Sequence, residues 1–217
     1  MLAKRVAGSS ESLLDPQAAQ WQQTDEETVD LLPTPVELQA SEYIQAVWPQ
    51  RAHGLVAQVR VRSLHNGDSL FFRLEWQIAR AVTEVSDIDV FADAAGVLFP
   101  VAGDAPLTEM GSPAQPVNAW FWRADLGEKP LSVTASGRGT SQRHVDNPLV
   151  SGSSWEAGTW RVVLGRPFTV AQPHRNSIGL KPGMTTKAAF VVLEGANNDR
   201  AGLKAYSPMW HELTIEG

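Results

Sequence analysis

The chain has 217 residues, 43% hydrophobic and 19% charged, which is a globular balance with enough length to bury a core unaided. It has no cysteine, which excludes disulfides, Cys-ligated zinc, Fe–S ligation by this chain, a Cys nucleophile and thioether-attached haem. The formal net charge of −6 argues against a nucleic-acid binder, which carries a basic footprint.

The opening MLAKRVAGSSESLLDPQ has Lys4 and Arg5 but no apolar run after them, and no window is apolar over the length of a membrane span. By itself this reads as a cytoplasmic chain. A subunit exported with a signal-bearing partner would look the same, and so would a mature chain. Residues 1–50 are polar, proline-marked and acidic, with Asp25, Glu26 and Glu27 in a row. They read as an N-terminal arm with one or two short strands, packing on the body or on partner subunits. Ser41–Val47 reads as a short helix.

The body starts near Leu55 and has period two. Valines alternate with arginines in Val59–Arg62, and Phe72, Leu74 and Trp76 alternate with Arg73 and Glu75. Asn66-Gly67 between these runs is a hairpin signal, and a histidine in such a turn, His65, is expected in solvent. A turn or short helix is expected near Ser86–Ala94. Further strands are expected at Gly96–Val101, Val117–Ala124, Leu131–Ser136, Thr159–Arg166, Lys187–Glu194 and Trp210–Ile215. About eight short strands without alternating helices predict an all-β, antiparallel β-sandwich with a few short helices, formed by residues 1–217 as one domain.

The chemistry is sparse on residue types alone. Of eight tryptophans, Trp120 and Trp122 flank Phe121 on one predicted strand. They read as core, as a sugar platform, or as the wall of a flat cofactor pocket. The five histidines, His53, His65, His144, His174 and His211, show no short ligand spacing. There is no H-E-x-x-H, G-x-S-x-G, Walker or G-x-G-x-x-G pattern. Met110, in the loop TEMGSPAQP, reads as a gap-filler or as a thioether ligand to a soft metal centre. Lys204, in NNDRAGLKAYS, reads as a solvated loop lysine.

The runs FPVAGDAPLTEMGSPAQPVNAWFWRAD and NNDRAGLKAYSPMWHELTI resemble the haem b (gamma) subunits of type II dimethyl-sulfoxide-reductase-family molybdenum enzymes. Ethylbenzene dehydrogenase, dimethyl sulfide dehydrogenase, chlorate reductase and selenate reductase are members. The likeness extends to AKRVAGSSESLLD, LHNGDSL and WEAGTWRVVLGRPF, and so to nearly the whole chain. Its specific parts are M-G-x-x-x-x-P-V-N-x-W-x-W and R-x-G-x-K-x-Y-S, and its opening is most similar to the ethylbenzene dehydrogenase branch, which includes hydroxylases of hydrocarbon and steroid side chains.

The resemblance implies a β-sandwich holding one non-covalent haem b between loops at its rim. The axial ligands it implies are Met110 and Lys204, with Trp120, Trp122, Phe99 and Asn118 beside the macrocycle. Arg123 and Arg200 are candidates for the propionates. It implies a redox subunit without catalysis of its own, in a heterotrimer with a molybdenum-cofactor alpha subunit and an Fe–S beta subunit. That complex passes electrons to a carrier such as cytochrome c and is exported to the periplasm through a partner's signal. The competing expectation is a non-catalytic carbohydrate- or ligand-binding β-sandwich module.

Overall fold

A computed structural model describes residues 1–85 and 90–217. The N-terminal quarter holds β1 (Leu2–Arg5), α1 (Ser10–Leu13), β2 (Glu27–Asp30), β3 (Leu32–Pro33) and α2 (Glu42–Val47). The body follows as β4 (Gln58–His65), β5 (Ser69–Gln77), β6 (Ala94–Pro100), β7 (Val117–Arg123), β8 (Leu131–Ala135), β9 (Gln142–His144) and β10 (Val150–Glu156). β11 (Thr159–Pro167), β12 (Thr185–Leu193), β13 (Ala205–Tyr206) and β14 (His211–Ile215) complete it. The predicted helix at 41–47 forms because the Ser41 hydroxyl accepts the Ile44 N–H as its cap. The 86–94 turn falls partly on residues 86–89, outside those described. Its last residue, Ala94, opens β6.

Two layers face each other. One runs β10-β11-β5-β4, with β2 on the free edge of β4. The other runs β14-β12-β6-β7-β8-β9, with β13 on β12 and β3 on β13. All pairings within the layers are antiparallel, as the alternation predicted. The exception is β1, which lies parallel to β14 through Leu2 and Ala3 and parallel to β4 through Lys4 and Arg5. β1 therefore joins the two layers, and Ala3 is fully buried. The N-terminal segment, expected as an arm with one or two short strands, packs on the body and gives it β1, β2 and β3.

The alternating residues meet between the layers. Phe72, Leu74 and Trp76 of β5 face Val97 and Phe99 of β6, Trp120 and Trp122 of β7, and Phe190 and Val192 of β12. The aromatic rings interlock at angles: Phe99 lies 4.9 Å from Trp120, and Trp160 lies 5.0 Å from Trp122. Each such ring buries enough apolar area to favour folding by about 4–6 kcal/mol before entropy is counted. The outer face of the first layer is closed by the N-terminal segment, where Val6, Leu13 and Trp21 pack on Leu64, Phe71 and Val163.

The β4–β5 turn is a loop of three residues, Asn66 to Asp68. The Asn66 Oδ1 accepts the N–H groups of Asp68 and Ser69 at 3.1 and 2.9 Å, and Gly67 has φ 98°. His65 is fully buried, contrary to the expectation of solvent. It ends β4 beneath Phe168, and its Nδ1 accepts the Gly67 N–H. Burial pushes its pKa down.

Candidate functional site

Met110 packs on the outer face of the second layer, and Lys204 stands just before β13, whose Tyr206 packs on the same face. On β6, β7 and β12 the residues out of phase with the core are Leu98, Ala119, Ala189 and Val191, and they form an apolar cluster on the outer side. Met110, Phe121, Val133 and Tyr206 pack on that cluster, only partly covered. Ala205 points into the core, so alternation turns Lys204 to the side of Tyr206. Small residues floor this face: besides Ala119 and Ala189 there is Gly96, where a Cβ would meet Phe121 and the Trp120 carbonyl at 3.0 Å.

Met110 sits in the β6–β7 loop with φ 57°, a left-handed conformation uncommon outside glycine. The turn is fixed by its own hydrogen bonds. The Met110 N–H donates to Leu107 O at 3.0 Å, and the Gly111 N–H donates to Pro106 O at 2.9 Å. Gly111 has φ 85°, and a Cβ there would come within 2.8 Å of the Gln115 carbonyl. From outside the loop, the Gly137 N–H donates to Met110 O and the Trp210 indole donates to Ala105 O at 2.9 Å.

Lys204 follows a tight turn in which Arg200 and Leu203 exchange backbone hydrogen bonds. The buried Asp199 holds the base of this loop by accepting the N–H groups of Gly54 and Glu194 at 2.9 and 3.1 Å. Burial raises its pKa and these donors oppose the rise. The residue Lys204 is partly exposed, yet its ammonium lies among enough protein that burial lowers its pKa to about 8. Its Nζ has a long contact of 3.4 Å to Ala201 O and, among the described residues, no carboxylate partner.

The other predicted neighbours lie elsewhere. Trp120, Trp122, Phe99 and Asn118 are all on the inner side of the layer, with relative exposures of 0%, 1%, 0% and 0%. They do not join Met110 and Lys204, because odd and even positions of β7 face opposite ways. Asn118 ties strands to a loop instead: its Nδ2 donates to Ser132 Oγ and Val133 O, and its Oδ1 accepts the Ile178 N–H. Arg123 is engaged by Asp125 through two contacts of 2.9 and 2.6 Å, and the Arg200 guanidinium lies over Trp48 and Phe91. The residues missed from sequence are those in antiphase on the same strands: Leu98, Ala119, Phe121, Ala189 and Tyr206. Their signal was present as small or aromatic residues alternating with the core tryptophans.

Two histidines that are distant in sequence also meet. His144 and His174 stack with ring centroids 3.9 Å apart and planes 6° apart, bonded to Thr134 and Ser132 respectively. Among the described residues no group of three or more His, Asp and Glu side chains has metal-site geometry. No helix of the described residues is long and apolar enough to cross a membrane.

The donor set fits a haem iron. A thioether has a lone pair at any pH, and a lysine already displaced toward the neutral amine has one more readily than a solvated lysine. Apolar and small side chains around both suit a flat apolar macrocycle.

Comparison with known proteins gives the chain's family. A family model described as ethylbenzene dehydrogenase matches residues 18–149. Chlorate reductase subunit gamma of Ideonella dechloratans is 35% identical over 96% of this chain and 81% of its own length. A Haloferax mediterranei protein whose name assigns it as a respiratory nitrate reductase heme subunit, ORF7, is 31% identical over 75% of this chain and 58% of its own. Dimethylsulfide dehydrogenase subunit gamma of Rhodovulum sulfidophilum is 29% identical over 69% and 57%. In fold alone, the chain is similar to a family 9 carbohydrate-binding module of Caldicellulosiruptor kristjanssonii solved with glucose. The TM-score is 0.53 at 8% identity, over 100% of this chain and 95% of that one. With the family model covering more than half of its length, the chain belongs to the ethylbenzene dehydrogenase family, in the group of its gamma subunits.

Proposed function

We propose that this chain is the electron-transfer subunit of a molybdenum oxidoreductase and holds one haem b with Met110 and Lys204 as axial ligands. The observation that supports the reading is that Met110 packs on the outer apolar cluster to which Tyr206, two residues after Lys204, also belongs, with burial lowering the pKa of the Lys204 amine to about 8. Bound haem supplies a one-electron couple. Around it, Met110 offers a soft sulfur that favours the reduced metal, and Lys204 offers a nitrogen once its proton has left. Leu98, Ala119, Val191 and Phe121 give the outer face an apolar lining. With Met110 and Lys204 both holding the iron, the group would supply electron transfer and not substrate chemistry.

The partners follow from the gamma-subunit relatives: a molybdenum-cofactor alpha subunit and an Fe–S beta subunit in a heterotrimer. We take the complex to act in the periplasm and to hydroxylate hydrocarbon or steroid side chains, the matched family's description naming one hydrocarbon, ethylbenzene. The outlet is a soluble carrier such as cytochrome c, and the net charge of −6 favours encounter with a basic one.

Absorption spectra of the purified protein, oxidised and reduced, with a pyridine haemochrome, test the proposal. A low-spin b-type spectrum is expected. Lys204→Ala should open one axial position and Met110→Ala should lower the potential. Unchanged spectrum and potential in both variants would refute the ligand pair. The carbohydrate-module reading rested on Trp120 and Trp122 as a platform, and both are buried between the layers.

A further inference from the structure

The segment from Pro33 to Ala40 connects the two ligand-bearing loops. At one end it grips the lysine loop. β3 pairs with β13, Pro33 opposite Ala205. The Thr34 N–H donates to Lys204 O at 3.0 Å, the Lys204 N–H donates to Thr34 Oγ1 at 3.3 Å, and that hydroxyl donates onward to Gly202 O at 2.6 Å. The Gln39 amide reaches the same Gly202 carbonyl at 3.2 Å. A hydroxyl serves here because it accepts and donates at once, and the valine isostere does neither.

At the other end the segment meets the methionine loop through Arg138. Its Nη1 donates to Leu38 O at 2.7 Å, and its Nε lies 2.6 Å from the carboxylate of Glu109, the residue before Met110. The neighbouring Gly137 N–H holds the Met110 carbonyl at 3.1 Å. The Arg138–Glu109 pair is half-exposed and weak in free energy, so its use is registration more than stability.

Resting on the ligand reading above, we infer that residues 33–40 are a brace that sets the spacing between Lys204 and Met110, with Thr34 and Arg138 as positioning residues. The two loops leave different strands and share no direct hydrogen bond among the described residues; the brace ties them on one side, while the Trp210 indole, six residues after Lys204, reaches the methionine loop at Ala105 O on another.

The test uses the full chain purified with its haem. Low-spin absorption and affinity for added imidazole are measured in Thr34→Val, Thr34→Ser, Arg138→Gln and Arg138→Lys, with Lys204→Ala as the open reference and thermal midpoints recorded throughout. Thr34→Val should bind imidazole at least about tenfold more tightly than the parent, because a displaced amine competes less well for iron. Thr34→Ser should restore the parent value. Arg138→Gln should show a smaller rise in the same direction, and Arg138→Lys less still. Folded Thr34→Val and Arg138→Gln proteins that stay closed to imidazole, beside an open Lys204→Ala, overturn the brace alone. If Thr34→Val does not fold, the half-exposed Arg138 variants decide. A closed Lys204→Ala overturns the ligand reading and the brace together.

Discussion

Trp120 and Phe121 are adjacent on β7 and point to opposite sides of one layer, so substituting each in turn separates core from site. Trp120 is fully buried, with Phe99 at 4.9 Å, Phe72 at 5.9 Å and the Arg166 guanidinium 5.1 Å above its ring. Burial brings the pKa of Arg166 down to about 10, so this cation relies on its few contacts: Ser177 Oγ, Ile178 O and the indole face. Trp120→Ala removes the ring and leaves a cavity, which costs about 3–5 kcal/mol in a core that cannot collapse. At roughly 2–4 °C per kcal/mol for a domain of this size, the melting temperature should fall by about 6–20 °C. The Soret band of the protein that remains folded should be unchanged. Phe121→Ala should do the reverse, with a smaller fall in melting temperature and a shifted haem spectrum or weakened haem retention. Thermal melts followed at the far-ultraviolet and Soret wavelengths check both. If Trp120→Ala moved the Soret band while leaving stability near the parent value, the assignment of inner and outer faces would be wrong.

Three further outcomes are expected. Haemin uptake by the haem-free chain should strengthen about tenfold per pH unit up to about 8 and then level off, because ligation by Lys204 must first release its proton. A continued rise toward pH 10.5, read by spectral titration, would show that the protein does not perturb this lysine. Gly111→Ala should destabilise the fold by at least about 1 kcal/mol in a denaturant titration, since φ is 85° and the new methyl would crowd the Gln115 carbonyl. His144 has its pKa lowered first by burial and then by the stacked His174. The unfolded chain therefore binds the extra proton, and stability should fall as pH drops from 6.5 through the lowered value. His144→Gln should flatten the dependence of melting temperature on pH in that window, and an unaltered slope would point to another group.

Most of the body strands were legible because burial on one side writes a period of two into the chain, as in Phe72, Leu74 and Trp76. The β4–β5 turn and the short helix α2 were legible for a different reason. Asn66-Gly67 and Ser41 act through hydrogen bonds only a few residues long. β10, SGSSW in sequence, was not predicted, since its strand character comes from pairing with β11 and not from its side chains. β1 was read as part of an arm. Its place between β4 and β14 depends on partners at the far end of the chain, and no local pattern of four residues encodes that.

The candidate site divides in the same way. From sequence, the resemblance pointed to Met110 and Lys204, and alternation alone determined that Trp120 and Trp122 share one side of β7 while Phe121 takes the other. Which side faces the partner layer and which faces outward is a property of the packed sandwich. An aromatic residue is favoured equally in a core and against a flat ligand. Only the tertiary structure decided that the tryptophans close the interior, and that Met110 packs with Phe121 and Tyr206 on the small-residue face behind them.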